Sequence, residues 1–438
     1  MPGGRGQGPG VGGEGSGVRG QGAVLAVLFL VNVFNFYDRQ ALGAVLEPLR
    51  REFHLTDARL GALTTIFTVL YAVAGLPLGR LADTWSRRRL LAIGVTVWAA
   101  LTGLGGLAAS YAMLLATRLG VGIGEAVCAP AAASWIGELV PAERRARAMA
   151  GFMMAVPVGG MLSFAIGGPV AQAFGWRVAL ALAAVPAVAL VPAVLWLKEP
   201  ARERGPGAGD RGPEGALRAL IKISALWWIA ASGAAANFVL YTFSTFLPAF
   251  LTRFHGLSVA QAGLWTGIGS GTAGILGCVA AGVYGDRIIR ARHNGRLLLA
   301  AAAALGAAPL AFAAIRLPAG SAAGAIAFIM AAYGLLQMYY GLVYAAIQDI
   351  VPPSLRGTAM AIYFMAMYLC GASFGPLATG ALSDHFARQA AGGGAITEAA
   401  RAIGLHQAMY AIPALSVALA GLLWAGARAM LPPPSRNV

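Results

Sequence analysis

Apolar runs of twenty or more residues recur along this chain, and they predict helices that cross a membrane. A helix needs about 20 predominantly apolar residues to span the hydrocarbon core. The first six predicted spans are 23–47, 58–81, 89–109, 111–138, 145–172 and 176–197. The next six are 224–251, 258–284, 295–316, 321–349, 357–383 and 404–428. The pattern therefore predicts an all-α integral membrane protein with twelve transmembrane helices.

Polar segments divide these spans into two groups. We expect an N-terminal six-helix bundle at 23–197 and a C-terminal six-helix bundle at 223–428. Residues 198–222 form the one long internal hydrophilic stretch, and we interpret it as a cytoplasmic linker. The Gly-rich residues 1–22 are poor in apolar side chains and are predicted to be a disordered cytoplasmic tail. Residues 429–438 are predicted to be a second cytoplasmic tail.

Short repeats relate the two groups of spans. VPAERRARAMA at 140–150 matches VPPSLRGTAMA at 351–361, and GRLAD at 79–83 matches GVYGD at 282–286. Each pair falls at the same place within its group of six helices. Parallel six-helix repeats with a substrate site between them near the bilayer midplane resemble the major facilitator architecture. We therefore expect two pseudo-symmetric six-helix bundles.

Composition and charge agree with this topology. The chain has 438 residues, of which 58% are hydrophobic and 11% charged, whereas soluble domains carry about 25% charged residues. Of its Lys and Arg residues, 22 fall in segments predicted to be cytoplasmic and 8 in segments predicted to lie outside. This bias predicts that both termini are cytoplasmic. It also explains the net charge of +15 without nucleic acid. The Ala-, Gly- and Arg-rich composition indicates a bacterial inner (plasma) membrane.

Ionisable residues inside two predicted spans are the strongest functional signal. Asp38 and Arg39 are adjacent within the first span, where one charge costs about 2.5–3.5 kcal/mol on insertion scales. Arg118 and Glu125 are seven residues apart in the fourth span and share one helix face. Two interpretations remain open for the pair on helix four. It belongs to a functional charge cluster, or it forms a structural ion pair between helices.

Neutral polar and aromatic residues form stripes on helices one, seven and ten. We predict that they line a substrate cavity. The candidates are Asn32, Asn35, Asn237, Tyr241, Gln337, Tyr340 and Tyr344. Charges on one side and an aromatic, amide-rich wall on the other suit an amphiphile with an anionic head. Polar contacts that only hold helices together are the alternative for any single residue.

The loop between helices two and three carries a motif. GRLADTWSRRR at 79–89 resembles the major facilitator signature, with Thr84 and Ser86 departing from it. In that family the motif keeps the cytoplasmic side closed. The resemblance implies a cytoplasmic gate at Gly79, Asp83 and Arg87, with Asp286 as the counterpart in the second half. The alternative is that Arg87 and its neighbours only determine topology.

Three further motifs resemble the spinster family of transporters. They are NFYDR at 35–39, RLGVGIGEA at 118–126 and PAERRARAMAGFMMAVPVGG at 141–160. The resemblance implies proton-coupled secondary active transport by alternating access, with a lysolipid-like or other amphiphilic anionic substrate. It also implies that Asp38 and Glu125 carry the proton, and that Arg39 and Arg118 are their charge partners or head-group contacts.

One other transport function stays open at this stage. Proton-linked symporters of small organic anions such as sugar acids carry a similar stretch in helix one. The sequence has no nucleotide-binding loop, nucleophile elbow or His-rich metal cluster, so we expect neither an enzyme nor a bound metal or cofactor. The expected partners are membrane lipid, the substrate and protons, with no nucleic acid, and a monomer satisfies the fold.

Overall fold

Helices make up almost the whole of the described chain. The computed structural model describes residues 14–197, 199, 218–352 and 355–430. We number the spans α1 to α12 and mark with b the second part of a span that is interrupted. The first bundle consists of α1 (Glu14–Ala44), α1b (Leu46–Phe53), α2 (Asp57–Thr84), α3 (Arg87–Gly105), α4 (Tyr111–Glu125), α4b (Cys128–Leu139), α5 (Ala142–Met153), α5b (Ala155–Phe174) and α6 (Trp176–Trp196).

The second bundle repeats this order. It consists of α7 (Ser224–Arg253), α8 (Val259–Ala291), α9 (Gly295–Arg316), α10 (Ala322–Ile350), α11 (Arg356–Met365), a π-helical segment (Ala366–Ala372), α11b (Phe374–Ala390), α12 (Glu398–Ala408) and α12b (Ala411–Ala429). Equivalent helices pack in equivalent ways. For example, α3 packs on α6 as α9 packs on α12b, and α2 packs on α4 as α8 packs on α10. The predicted pair of six-helix bundles is confirmed.

Prolines account for the five interruptions. A proline has no N–H for the carbonyl four residues earlier, and its ring clashes with that carbonyl. Each interruption begins within one residue of the position that lies four residues before a proline in the sequence. The prolines are Pro48, Pro130, Pro157, Pro376 and Pro413, and the breaks follow α1, α4, α5, the π-helical segment and α12. Pro77 and Pro248, by contrast, lie inside unbroken helices. A proline therefore permits an interruption four residues before it in the sequence, but it does not by itself cause one.

Most of these helices can cross a membrane. Eleven described helical stretches are long and apolar enough to do so. The twelfth span, α3, has 19 residues and begins with three consecutive arginines, which reduces its apolar content. Large apolar side chains lie exposed on the outer surface, including Phe174, Leu276 and Val185. Such an apolar surface is stable in contact with lipid tails and unfavourable in contact with water.

Some boundaries differ from the prediction. Helix α1 begins at Glu14, inside the stretch predicted as a tail, and the Gln21 side chain donates to the Leu139 carbonyl at 2.7 Å. Helix α8 continues from the predicted end at 284 to Ala291, because polar residues extend the helix beyond the apolar run. Residues 1–13, nearly all of the predicted linker at 198–222, and 431–438 lie outside the described residues.

The two bundles meet along two main seams. Helix α5b packs on α8, and α2 packs on α11b. Small residues allow close approach at both seams. A Cβ added to Gly267 would lie 2.6 Å from the Ala165 nitrogen, and one added to Gly61 would lie 2.3 Å from the Pro376 oxygen. The central faces of α1, α4 and α7 therefore lie between the seams.

Candidate functional site

Four charged side chains from α1 and α4 meet, and we call them the central charge cluster. Arg39 of α1 pairs with Glu125 of α4 at 3.2 Å, and Arg118 of α4 pairs with Asp38 of α1 at 3.6 Å. Each helix thus supplies one acid and one base, and the pairs cross between helices. All four side chains are at most 3% exposed. The cluster is neutral when both acids are ionised, which reduces the cost of burial.

Local sequence explains how α4 reaches this position. Gly122 packs directly on α2, because an added Cβ would lie 2.5 Å from the Phe67 oxygen. Gly124 packs on α3 in the same way, 2.9 Å from the Trp98 nitrogen. Pro130 releases the Ala126 carbonyl and ends α4 at Glu125. Glu125 therefore lies at the point where the fourth span is interrupted.

The Arg39–Glu125 pair is incompletely hydrogen bonded. Arg39 donates through Nε (3.3 Å) and Nη2 (3.2 Å) to the same oxygen, Glu125 Oε2. Its Nη2 also lies 3.4 Å from Asn35 Oδ1. Glu125 Oε1 and Arg39 Nη1 are buried and have no hydrogen-bond partner. The guanidinium lies over the rings of Phe36 (4.6 Å) and Tyr71 (4.3 Å), which attract the cation.

The Arg118–Asp38 pair has a third member that the sequence did not single out. Thr102 of α3 donates its hydroxyl hydrogen to Asp38 Oδ2. Arg118 Nη2 in turn lies 3.4 Å from Thr102 Oγ1. The hydroxyl therefore connects the base to the acid. A threonine inside an apolar helix gives no signal that distinguishes it from other threonines in the sequence.

A small cavity adjoins the cluster at the boundary between the two bundles. Its volume is about 20 Å³, which accommodates one water-sized occupant. Its polar lining comes from both bundles and consists of Arg39, Gln40, Thr64, Arg118, Tyr241, Ser244 and Thr245. Of the seven neutral residues predicted for the cavity, Tyr241 lines it and the other six do not.

The other predicted residues of the second bundle form a wall made of two separately bonded groups, outside the lining of this cavity. Tyr340 donates to Asn237 Oδ1 at 3.1 Å. Gln337 donates to the Tyr333 hydroxyl at 3.2 Å, while its Oε1 is buried without a partner. The Tyr344 ring contacts the Tyr340 ring at 5.8 Å. This wall of amides and phenols lies on α7 and α10.

Asn32 does not have the predicted position on the cavity. Its side chain is 2% exposed, and Nδ2 donates to the Phe152 carbonyl at 3.0 Å. The reason is geometric, since this face of α1 points toward α5. Asn35, in contrast, contacts Arg39 and belongs to the central charge cluster's surroundings.

The predicted gate residues lie at the end of the molecule that carries the α2–α3 and α8–α9 connections. We call this the loop-2 end. Arg87 donates to Glu138 of α4b at 2.6 Å, and Asp286 pairs with Arg296 of α9 at 3.4 Å. Among the described residues, these ion pairs join helices of one bundle. Gly79 lies near Pro130, with 3.8 Å from an added Cβ to the Pro130 Cβ. The side chain of Asp83 lies outside the described residues.

A second charge network closes the opposite end, which carries the α1–α2, α7–α8 and α11–α12 connections and is called the loop-1 end here. Arg253 at the end of α7 donates to Glu47 (2.7 Å) and to Asp57 (2.8 Å), both in the first bundle. Arg50 of α1b pairs with Glu398 of α12 at 2.5 Å. We call these residues, with Ser383 and Asp384, the loop-1 network.

The loop-1 network also caps a helix across the boundary. Asp384 of α11b accepts from the backbone N–H groups of Asp57 (2.9 Å) and Ala58 (2.8 Å). These groups begin α2 and carry the positive end of its dipole. Ser383 donates to Asp57 at 2.7 Å. The sequence analysis missed this network, because its members come from five helical segments that are distant in sequence.

Glu47 lies beyond the apolar part of α1 and is held in its ionised form. Burial by itself raises the pKa of Glu47. The hydrogen bond from Arg50 and the charges of Arg253 and Arg50 outweigh burial, and they lower the pKa of Glu47 to about 2. The carboxylate therefore stays charged throughout the physiological pH range.

Comparisons with known proteins agree with this architecture. The Major Facilitator Superfamily model matches residues 28–376. An MFS-type efflux pump of Mycolicibacterium smegmatis is 32% identical over 367 residues, which cover 83% of this chain and 84% of that protein. Protein spinster homolog 1 of Bos taurus is 30% identical over 394 residues, covering 83% of this chain and 73% of that protein.

A solved structure is similar over nearly the full length. The crystal structure of a bacterial homolog of the human lysosomal transporter spinster, in an inward-facing and unoccupied conformation, has a TM-score of 0.82. Its identity is 27%, and the match covers 94% of this chain and 97% of that chain. These relatives are transporters and not enzymes. The chain therefore belongs to the major facilitator superfamily, among its spinster-like transporters.

Proposed function

We propose that this protein is a proton-coupled secondary transporter of a lysolipid-like or other amphiphilic anion. The observation that carries the proposal is the Arg39–Glu125 pair, in which each member keeps one buried atom without a partner. Glu125 Oε1 is free to accept a proton. Arg39 Nη1 is free to bind an anion, and Arg39 lines the cavity between the two bundles.

Proton binding and anion binding support each other in this arrangement. The four charges of the central charge cluster balance while both acids are ionised. A proton on either Asp38 or Glu125 leaves one positive charge uncompensated in a dry site. An anionic head group beside Arg39 restores neutrality. The proton and the anion therefore bind cooperatively, so they travel in the same direction across the membrane.

Aromatic and amide side chains of α7 and α10, of which only Tyr241 lines the present cavity, suit the rest of an amphiphile once the bundles separate. Tyr241, Tyr340 and Tyr344 offer aromatic faces, and Asn237 and Gln337 add amides. The relatives named spinster agree with this class of substrate. The present cavity of about 20 Å³ is too small for such a molecule, so the two bundles must separate before it binds.

Alternating access follows from the two ends of the molecule. The loop-1 network joins the bundles at one end through Arg253 and Asp384. The described ion pairs at the loop-2 end stay within one bundle. Breaking the loop-1 network while the loop-2 end closes would expose the cavity on the other side. The bias of basic residues supports an outward loop-1 end and cytoplasmic termini, in what we expect to be a bacterial inner membrane.

The test is transport into liposomes that contain the purified protein. A labelled lysophospholipid is offered with an imposed pH gradient, and unlabelled lysophospholipid or glucuronate competes. We expect uptake that follows the proton gradient, reverses when the gradient is reversed and is blocked by the lysophospholipid alone. Competition by glucuronate alone, or uptake that ignores the gradient, would contradict the proposed function.

A further inference from the structure

Aromatic rings from two helices of the first bundle surround the guanidinium of Arg39. Its Cζ lies 4.6 Å from the centre of the Phe36 ring on α1, and 4.3 and 5.4 Å from the Tyr71 and Phe67 rings on α2. The negative faces of such rings attract a cation. The rings therefore favour the position in which Arg39 bonds to Glu125.

Tyr71 differs from the other two rings because it also contacts the second bundle. Its ring centre lies 5.4 Å from that of Tyr368 in the π-helical segment. Phe36 belongs to the same helix as Arg39 and moves with it, and Phe67 stacks on Tyr71 itself at 6.1 Å. Among the described residues, Tyr71 is thus the one of these three rings that contacts an aromatic ring of the second bundle.

The π-helical segment binds Tyr368 firmly to the second bundle. The Tyr368 carbonyl accepts from the Ser373 N–H at 3.0 Å and from the Ser373 hydroxyl at 2.8 Å. Gly371 packs the segment on α7, because an added Cβ would lie 2.3 Å from the Ala234 oxygen. Such segments are rare and occur often at functional sites. When α2 and α11b separate, Tyr368 therefore moves with the second bundle and leaves Tyr71.

Charged and titratable groups from both bundles face the Arg39–Glu125 pair. They are Asp38 on α1, Tyr71 on α2, Arg118 on α4, Cys128 on α4b, Tyr241 on α7 and Tyr368. Asp38 and Arg118 pair with each other inside the first bundle. Tyr241 also changes its distance from Arg39 when the bundles separate, so a test must isolate the ring contact between Tyr71 and Tyr368.

We propose that Tyr71 is a positioning residue that keeps Arg39 bonded to Glu125 while Tyr368 packs against it, and that stops doing so when the loop-1 end opens. Once Tyr368 has left, the Tyr71 ring is free to turn and Arg39 loses part of its attraction to this position. Glu125 then binds a proton more readily, because Arg39 is its hydrogen-bond donor. The inference rests on the proposed function, which requires such a link between opening and proton binding without naming it.

The test follows the titration of Glu125 and does not require transport. Infrared difference spectra of the full chain in lipid nanodiscs are recorded between about pH 4 and 10, which covers exposed and buried carboxyl groups. The Glu125 band is identified by its loss in Glu125→Gln. Tyr71→Leu removes the ring, and we expect the proton affinity of Glu125 to rise roughly 2- to 30-fold, the range for one cation–π contact. Tyr71→Phe keeps the ring and should titrate as the natural protein does.

Tyr368→Leu tests the contact between the bundles. It leaves Tyr71 in place, so the proton affinity of Glu125 should rise less than in Tyr71→Leu, and Tyr368→Phe should cause no change. Tyr71→Leu combined with Tyr368→Leu should titrate as Tyr71→Leu alone does, because Tyr368 acts through Tyr71. Phe364→Leu is the matched control, since Phe364 lies one turn before Tyr368 and contacts Tyr344 at 5.7 Å.

Two results would overturn the inference. One is a folded Tyr71→Leu protein in which Glu125 titrates as in the natural protein or not at all. The other is an effect of Tyr368→Leu that is undiminished when Tyr71 is already Leu. If Tyr71→Leu fails to fold, Tyr368→Leu decides alone, and an unchanged titration counts against the inference. A protein that moves its substrate without protons would refute the proposed function, and its spectra would still show whether Tyr71 positions Arg39.

Discussion

The central charge cluster and the loop-1 network are both built from buried acids and arginines, yet they are bonded differently. In the central cluster the pairs are 3.2 and 3.6 Å long and stay within the first bundle. In the loop-1 network Arg253 reaches two acids of the other bundle at 2.7 and 2.8 Å. Under the proposed function, we expect the central charges to change partners during transport and the loop-1 charges to hold the bundles together.

A loosely bonded carboxyl group can take up a proton, and a fully bonded one resists it. Glu125 keeps a free oxygen. Glu47 accepts from Arg50, Arg51 and Arg253. We therefore expect protonation to act at the centre of the molecule and only indirectly at the loop-1 end.

The largest effect should come from the centre. Glu125→Gln removes one of the two acids proposed to take up the proton, the one paired with Arg39, so uptake driven by a pH gradient should fall to the level of empty liposomes. Exchange of substrate at equal pH on both sides should persist, because the variant keeps a polar side chain beside Arg39. Uptake that still follows the gradient would exclude Glu125 as the coupling residue.

A smaller effect is expected at the loop-1 end. Arg253→Gln breaks two buried pairs between the bundles, and breaking one buried pair costs about 3–5 kcal/mol. Spin labels at the exposed positions 59 and 388 should report a larger separation in this variant. Arg51→Gln is the matched control, since Arg51 is exposed and pairs with Glu47 inside one bundle. Equal separations in both variants would show that Arg253 does not hold this end closed.

Asn32→Ala should have a still smaller effect, on stability alone. It removes the hydrogen bond to the Phe152 carbonyl, and the unpaired carbonyl costs about 1–3 kcal/mol. We expect a lower thermal midpoint and an unchanged substrate KM. A raised KM with unchanged stability would show that Asn32 contributes to substrate binding in the cavity after all.

The smallest effect is expected from a change of pH, which should leave the loop-1 end unchanged. The lowered pKa of Glu47 stabilises the folded network above the ordinary value of 4.5, and this stabilisation is lost only as the pH falls through about 2. The separation of the labels at 59 and 388 should thus stay constant between pH 5 and 8 when no substrate is present and Glu125 is replaced by Gln. A transition within that range would place a second proton-sensitive group at this end.

Much of the fold follows from the sequence alone. The twelve spans and the two bundles were predicted. Charge inside an apolar run is costly wherever it occurs, so the sequence also singled out Asp38, Arg39, Arg118 and Glu125, whose role in transport stays a prediction. The prolines mark where interruptions are possible but not which of them occur, since Pro77 and Pro248 lie inside unbroken helices. Helix ends such as that of α8 were not predictable either, because a helix continues past its apolar run whenever polar residues keep the same geometry.

The site was less predictable. The crossed pairing of α1 with α4 depends on the close approach at Gly122 and Gly124, which only the packed structure reveals. Asn32 was predicted to line the cavity and Thr102 drew no prediction, and in both cases the sequence does not reveal the partner of the side chain. Thr102 supports the central charge cluster and Asn32 joins α1 to α5. The loop-1 network is the clearest case, since Arg253 and Asp384 become partners of α1b and α2 only once the bundles meet.

The cap that Asp384 places on α2 has a consequence for water. When the loop-1 end opens, the N–H groups of Asp57 and Ala58 lose their carboxylate and the buried charges around them lose each other. Each of these groups must then be hydrated, so the open state takes up water that the closed state excludes. Solutes that are excluded from protein surfaces favour the drier state. Osmotic pressure should therefore slow the turnover of this protein even when proton gradient and substrate are unchanged.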